Sequence, residues 1–182
     1  RLGLVGSEMC IRDRGGLGSA SLTLPNGVKV TALVAVNAVG EIVDSATGAV
    51  SAGVRGLEKG SYRSAVDIAM GLSDEDGPSG SNTTIGIVVT DAPLSKTDLK
   101  KIAEMAHDGF ARAIRPVHTQ FDGDTLFAVS TSTYDENVGA ISHSGASLNS
   151  IGVAATKVVE MAIIDGVIAA ESLLGCVASR DW

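Results

Sequence analysis

Asn82 and Thr83 stand where a polar, glycine-rich stretch, SDEDGPSGSNTT, gives way to the apolar run of Ile85, Ile87, Val88 and Val89. A threonine there is a good way to begin a strand, because its β-branched side chain suits extended backbone. It also brings a hydroxyl, which is a poor nucleophile until a base takes its proton. An N-terminal threonine carries that base itself, since its free α-amine titrates at about 7.7–8.0 when unperturbed, near working pH. Such a terminus can be made inside a chain by cutting the bond before Thr83. The hydroxyl would attack the Asn82 carbonyl in an N-to-O acyl shift, and water would resolve the ester. The Gly/Ser-rich approach can supply the bend this needs. The junction therefore has two readings, a strand start or an autocleavage site at Asn82–Thr83.

The second candidate is Asp122-Gly123-Asp124, also just ahead of an apolar strand. Taken alone it reads most simply as a tight turn, with Asp and Gly chosen for backbone geometry. A Mg²⁺ or Ca²⁺ pair lacks a third carboxylate at loop spacing, so no metal is expected. One helix of about five turns separates the two strands. If they are parallel, the crossover is right-handed and their N-terminal ends share one edge. Thr83, Asp122 and Asp124 would then be neighbours; if the strands are antiparallel, they would not.

Other constellations are weaker. His107, His118 and His143 are the only histidines, and no GxSxG motif accompanies them. His107 falls on a helix flank and His118 in the loop after Pro116. GGLGS and GPSGS lack both the strand–helix setting of a dinucleotide fingerprint and the lysine of a phosphate loop, so no cofactor is expected. Cys10 and Cys176 lie near opposite ends without CxxC spacing, which argues against a disulfide framework or a zinc site.

The elements that must position these residues follow from pattern. Leu22 and Leu24 lead through Pro25-Asn26-Gly27, a turn signal, into a strand of Val28, Val30, Leu33, Val34 and Val36 that ends at Asn37. Residues 40–44 fit a short return strand. Residues 45–82 show little periodicity apart from a short helix around 63–70. Residues 83–91 form a strand. Ser95 and Asp98 have capping-box spacing, and Leu99, Ile102, Ala103, Ala106, Phe110, Ala113 and Ile114 then mark one helical face, ended by Pro116. Residues 125–133 form another strand, and residues 147 to about 174 a long apolar helical stripe. The order ββ(β), loop, β, α, β, α predicts sheets covered by helices, an α/β or α+β layered fold.

The chain has 182 residues, enough for one domain with a substantial core. With 22 glycines and 3% aromatic residues, its core must be built from small, closely approaching elements. A net charge of −7, with no basic cluster beyond Lys100-Lys101, argues against nucleic-acid binding. The most apolar stretch, residues 148–174, is broken by Lys157, Glu160 and Asp165, so no membrane-spanning helix is expected. Residues 1–14 lack the apolar centre of a signal peptide. Within them MCIRDR, Met9 to Arg14, reads as a translated transposon-end adaptor. The native chain is accordingly expected to begin at Gly15 or beyond, with an earlier part lost.

NTTIGIVVTDA, FDGDTLFAVST about forty residues on, and GGLGSASLTLPNGVKVTALVAVNAVGEIVD upstream together resemble the P1 (S58) peptidase family. Its members include the L-aminopeptidase/D-esterase-amidase, the β-peptidyl aminopeptidases and the nylon-oligomer hydrolases. The resemblance runs over residues 15–175. It implies an α+β fold, an αββα sandwich of N-terminal-nucleophile type, that cleaves itself into two chains. Residues 15–82 would be the end of the α chain, residues 83–182 the β chain, and residues 15–182 one structural domain. By position it makes Thr83 the nucleophile and Asn37 the amide donor near the oxyanion. Asp122 and Asp124 become the acidic pair that orients the nucleophile and its amine, where some aminopeptidases have Ser and Glu. The family's lysine, in a glycine-rich stretch upstream of the Asn, has no match; Lys29 lies in the hairpin instead.

The expected activity is hydrolysis of a peptide or small amide by a processed homo-oligomer, with the cytoplasm as the default compartment. Two alternatives remain: an ornithine acetyltransferase-like acyl transfer, which also involves a cut before Thr, and an inactive α/β binding module. Intact mass separates the module from both enzymes, because only the module stays whole.

Overall fold

The computed structural model describes residues 13–73, 82–134 and 147–182. Cys10, His143 and most of the leader lie outside the described residues.

Seven residues either side of the Pro25-Asn26-Gly27 turn make an antiparallel hairpin, β1 (Leu17–Thr23) and β2 (Lys29–Ala35). β2 then pairs antiparallel with β7 (Ile85–Thr90), and β7 pairs parallel with β9 (Thr125–Ser130), giving the order β1-β2-β7-β9. The link between β7 and β9 is the helix α2 (Lys96–Ala113), opened by the expected capping box. Ser95 Oγ accepts from the Asp98 N–H at 3.1 Å, and the Asp98 carboxylate accepts from the Ser95 N–H at 3.2 Å. The parallel alternative is thus the one realised, and both candidate sequences lie at one edge of the sheet.

α2 and the last helix, α3 (Leu148–Ile168), pack together on one face of this sheet. Val30, Ala32, Val34 and Val88 point into that interface and meet Ile102, Ala106, Phe110, Ile151, Val158, Val159 and Ile163, all essentially inaccessible. Gly18 shows why the core is rich in small residues. A Cβ there would sit 2.1 Å from the Ala162 carbonyl oxygen and 2.2 Å from the Gly166 nitrogen, so only glycine lets α3 lie directly on β1.

The opposite face of the sheet is apolar too. Leu17, Leu33, Ile85, Phe127 and Val129 are exposed there, and Leu33, Ile87 and Phe127 stand in register across three strands. Among the described residues, one sheet and its helical layer account for one half of an αββα sandwich. The exposed apolar face is the side on which such a fold carries its second sheet.

Several boundaries differ from the sequence expectations. Residues 45–73, expected to be largely irregular apart from a short helix around 63–70, contain that helix as α1 (Ala65–Ala69) and also β4 (Val50–Ala52), β5 (Val54–Arg55) and β6 (Tyr62–Arg63). Strands of two or three residues are too short to show a period. α2 stops at Ala113, ahead of Pro116, because Ile114–Arg115 leaves the helix as β8 and pairs with β3 (Glu41–Val43), extending a small sheet of order β4-β3-β8. α3 ends at Ile168, not near Leu174. The charges expected to interrupt its apolar stripe are put to use. Asp165 accepts from the Ser19 N–H at 2.9 Å, while the buried Glu160 takes the Lys157 ammonium at 3.2 Å and the Ser45 hydroxyl. No helix among the described residues is long and apolar enough to cross a membrane.

Candidate active site

The parallel pairing of β7 with β9 continues past the N-terminal ends of both strands. Beyond the Ile85↔Thr125 pair, the Thr125 N–H donates to the Thr84 carbonyl at 3.0 Å and the Gly123 N–H to the Asn82 carbonyl at 2.9 Å. The Asn82 N–H donates in turn to the Phe121 carbonyl at 2.9 Å, so Asn82 and Asp122 form a parallel bridge. Residues roughly forty apart in sequence are thereby locked side by side by backbone alone.

The Asn82 carbonyl receives a second donor, the Thr83 hydroxyl, with Oγ1 at 2.6 Å. One oxygen thus collects a backbone N–H and the hydroxyl of the following residue. The two donors polarise the carbonyl, and the Gly123 N–H would remain to stabilise negative charge developing on its oxygen as Oγ1 attacks. The Thr83 N–H is held at 3.0 Å by the backbone carbonyl of Asn37, at the end of β2. Asn37 thus meets the junction through its main-chain oxygen, whereas the sequence expectation concerned its side-chain amide as a donor near the oxyanion. Gly123 has its own reason to be glycine. A Cβ there would come within 2.7 Å of Thr83 Oγ1.

The two aspartates, expected to act as a pair on Thr83, are directed differently. Asp122 accepts from the Thr119 N–H at 3.0 Å and the Thr119 hydroxyl at 2.7 Å, closing its own turn. The Asp124 side chain is 3% exposed, and each of its oxygens is engaged. Oδ1 accepts from the Thr84 N–H at 2.8 Å, and Oδ2 lies 2.8 Å from His118 Nδ1. The hydrogen bonds of these carboxylates thus run to Thr119, Thr84 and His118, while Thr83 is held by Asn82 and Asn37.

His118 continues the chain of contacts, with Nε2 3.3 Å from Nδ1 of His107 on α2. Burial, and then the neighbouring His118, push the His107 pKa below the ordinary histidine value; Asp124 and Asp108 oppose this. His107 lies edge-on to Phe110, on the helix flank where the sequence placed it. Sequence reasoning did not connect either histidine to the aspartates, and it gave Gly123 no role beyond the turn. The available signal was closeness along the chain, with His118 only six residues ahead of Asp124. Among the described residues, no group of His, Cys, Asp and Glu is placed to hold a metal ion.

Residues 3–180 match the model of peptidase family S58, and the chain belongs to that family. It is 38% identical over 183 residues to an uncharacterized aminopeptidase of Mycobacterium leprae, covering 96% of this chain and 51% of that protein. It is 39% identical over 111 residues to a 6-aminohexanoate-oligomer endohydrolase of Paenarthrobacter ureafaciens, covering 59% of this chain and 31% of that one. Its fold matches the L-aminopeptidase D-Ala-esterase/amidase of Ochrobactrum anthropi, described as a variant of the Ntn-hydrolase fold. That match has a TM-score of 0.56 at 19% identity and covers 93% of this chain and 46% of that one. The chain spans about half the length of the curated aminopeptidases it matches.

Proposed function

We propose that this chain is the self-cleaving, nucleophile-bearing part of an N-terminal-nucleophile hydrolase that acts on amide bonds, an aminopeptidase or amidase. The cut falls between Asn82 and Thr83. The observation that carries the reading is the meeting of Thr83 Oγ1 and the Gly123 N–H on the Asn82 carbonyl oxygen. In the first step Oγ1 bonds to the Asn82 carbonyl carbon. The C–N bond to Thr83 breaks, and the nitrogen takes the proton the hydroxyl gives up. Water then cleaves the Asn82 ester, leaving an Asn82 carboxylate and a free Thr83 amine and hydroxyl.

The freed amine is the base that was missing before the cut. It lies where the Asn37 carbonyl already holds the Thr83 nitrogen, and it can take the Oγ1 proton as that oxygen attacks a substrate amide. The leaving amine of the substrate collects the proton, and water hydrolyses the resulting ester. A peptide or small amide substrate, and assembly of processed units into a homo-oligomer, accompany this proposal. The names of the relatives, an aminopeptidase and an amide-oligomer endohydrolase, support the substrate class.

N-terminal sequencing of the protein expressed from its complete reading frame tests the cut. A fragment beginning at Thr83 is expected. An intact chain, or a start at any other residue, removes the proposal. Thr83→Ser should still be cut, since it keeps a hydroxyl on the same carbon, and Thr84→Ala should be cut too, because only the first residue owns the new amine.

The geometry also separates the two aspartates. In Asp122→Asn the remaining carbonyl oxygen can still accept from Thr119, so cleavage should change by less than about threefold. Asp124→Asn removes a buried charge that serves two donors, and charge-assisted hydrogen bonds are worth about 1.5–3 kcal/mol. Self-cleavage should slow at least about tenfold, since ~1.4 kcal/mol on a barrier is a factor of ten. Cleavage time courses followed by gel electrophoresis measure both, and equal effects from the two variants would contradict this division.

A further inference from the structure

Asp124 sits between the backbone of the nucleophile and a histidine that the cleavage chemistry above does not use. We propose that His118 is a positioning residue for self-cleavage: its ring holds the Asp124 carboxylate against the Thr84 N–H and so fixes the peptide that follows Thr83. The inference rests on the cut at Asn82–Thr83 proposed above.

The first support is the division of labour at Asp124. A carboxylate can only accept, so the nitrogen 2.8 Å from Oδ2, His118 Nδ1, must carry the proton. That bond leaves Oδ1 facing the Thr84 N–H, also at 2.8 Å. Without the histidine, a carboxylate 3% exposed would keep one oxygen unpaired, or would turn to recover a donor and release Thr84. Thr84 is itself fully buried and follows Thr83 directly, so a shift of its amide is transmitted to Oγ1 and to the Asn82 carbonyl.

The second support is the trouble taken to aim the ring. His118 has φ +54°, a left-handed backbone that side chains other than Asn, Asp and His seldom adopt. Its ring centroid lies 5.1 Å from that of His107 and 5.8 Å from that of the fully buried Phe110, so the ring is braced against α2 and the core. Its Nε2 is 3.3 Å from His107 Nδ1. The bland alternative is a half-exposed histidine that merely completes a turn. That alternative predicts no effect on a reaction at Thr83 once the backbone conformation is respected.

Two substitutions separate these readings. His118→Gly accepts φ +54° without strain but removes the ring. His118→Asn tolerates the same backbone, and its side-chain N–H₂ can stand where Nδ1 stood. Self-cleavage is the readout, because it is intramolecular and needs no assumed substrate. In the protein expressed from its complete reading frame, with thermal unfolding monitored in parallel, His118→Gly should be cut at least about tenfold more slowly than wild type. His118→Asn should stay within about threefold. A His118→Gly protein cut at the wild-type rate overturns the inference, and so does a His118→Asn protein as slow as His118→Gly.

If His118→Gly does not fold, the wild-type protein decides. Imidazole ¹H–¹⁵N spectra should show a protonated, hydrogen-bonded Nδ1 on His118, and an unprotonated Nδ1 rejects the proposal. A wild-type chain that is never cut removes the parent reading, and this inference falls with it. A wild-type chain that is cut, alongside an equally active His118→Gly, removes the inference alone.

Discussion

Thr83→Ala leaves the chain in one piece and without amide hydrolysis. The expected loss is large because the variant deletes the atom that forms the new bond, not a group that assists it. In the intact chain the Thr83 hydroxyl lies against the Asn82 carbonyl, where the Gly123 N–H supplies a second donor. Alanine keeps the strand, the Asn37 contact to the Thr83 nitrogen and the Gly123 donor, but nothing remains to attack. Removing a nucleophile from an enzyme whose other groups stay in place can cost on the order of 10⁶ in rate, so no cut should be detectable over days. Intact-mass spectrometry of the protein expressed from its complete reading frame reads this directly. A Thr83→Ala chain that still splits at Asn82 would assign the cut to another group or to a contaminating protease. Uncut Thr83→Ala beside cut Thr83→Ser would require only the hydroxyl, as proposed.

Much of the positioning frame was legible in the sequence, and the reasons are local. Ser95 and Asp98 announced the start of α2, and its apolar face from Leu99 to Ala113 kept a helical period over about four turns. Asn26-Gly27 fixed the β1–β2 hairpin, because Gly27 takes φ +90° in its turn. The meeting of Thr83 with Asp122-Gly123-Asp124 could be argued only as one of two alternatives. Strand direction depends on tertiary pairing, which neither strand's own residues encode. Of the small sheet β4-β3-β8 only β3 was legible, as the short return strand at 40–44; β4 and β8 are two or three residues long, and β8 finds β3 from far along the chain. Asp122 illustrates a signal that was present and passed over. Thr119 stands three residues ahead of it, a spacing at which the carboxylate folds back onto the threonine's N–H and hydroxyl. The role of the Gly123 N–H had no such marker, because every residue except proline carries that donor.

Gly123→Ala should fold almost as well as wild type and yet cleave itself about a hundredfold more slowly. The added methyl would stand 2.7 Å from Thr83 Oγ1, well inside van der Waals contact. No positive φ is required at Gly123, and the residue is exposed, so the backbone can accept alanine. The atom in the way is the tip of a side chain that can turn about χ1. Thr83 therefore has an inexpensive escape, moving its hydroxyl to another staggered position, and stability should fall by no more than about 1 kcal/mol. The escape removes Oγ1 from the Asn82 carbonyl. A misplacement of about 1 Å at a reacting atom can cost on the order of 10²-fold. The variant thus separates two uses of the residue that a turn alone would not distinguish. If Gly123 only shapes the bend between two aspartates, the alanine protein loses stability and cleavage together, or loses neither. If the glycine is there to leave room for the nucleophile, cleavage falls while the unfolding temperature hardly moves. Thermal denaturation and a cleavage time course on the same preparation give both numbers. A Gly123→Ala protein that melts normally and is cut at the wild-type rate would show that the Thr83 hydroxyl need not occupy the position in which it meets the Asn82 carbonyl.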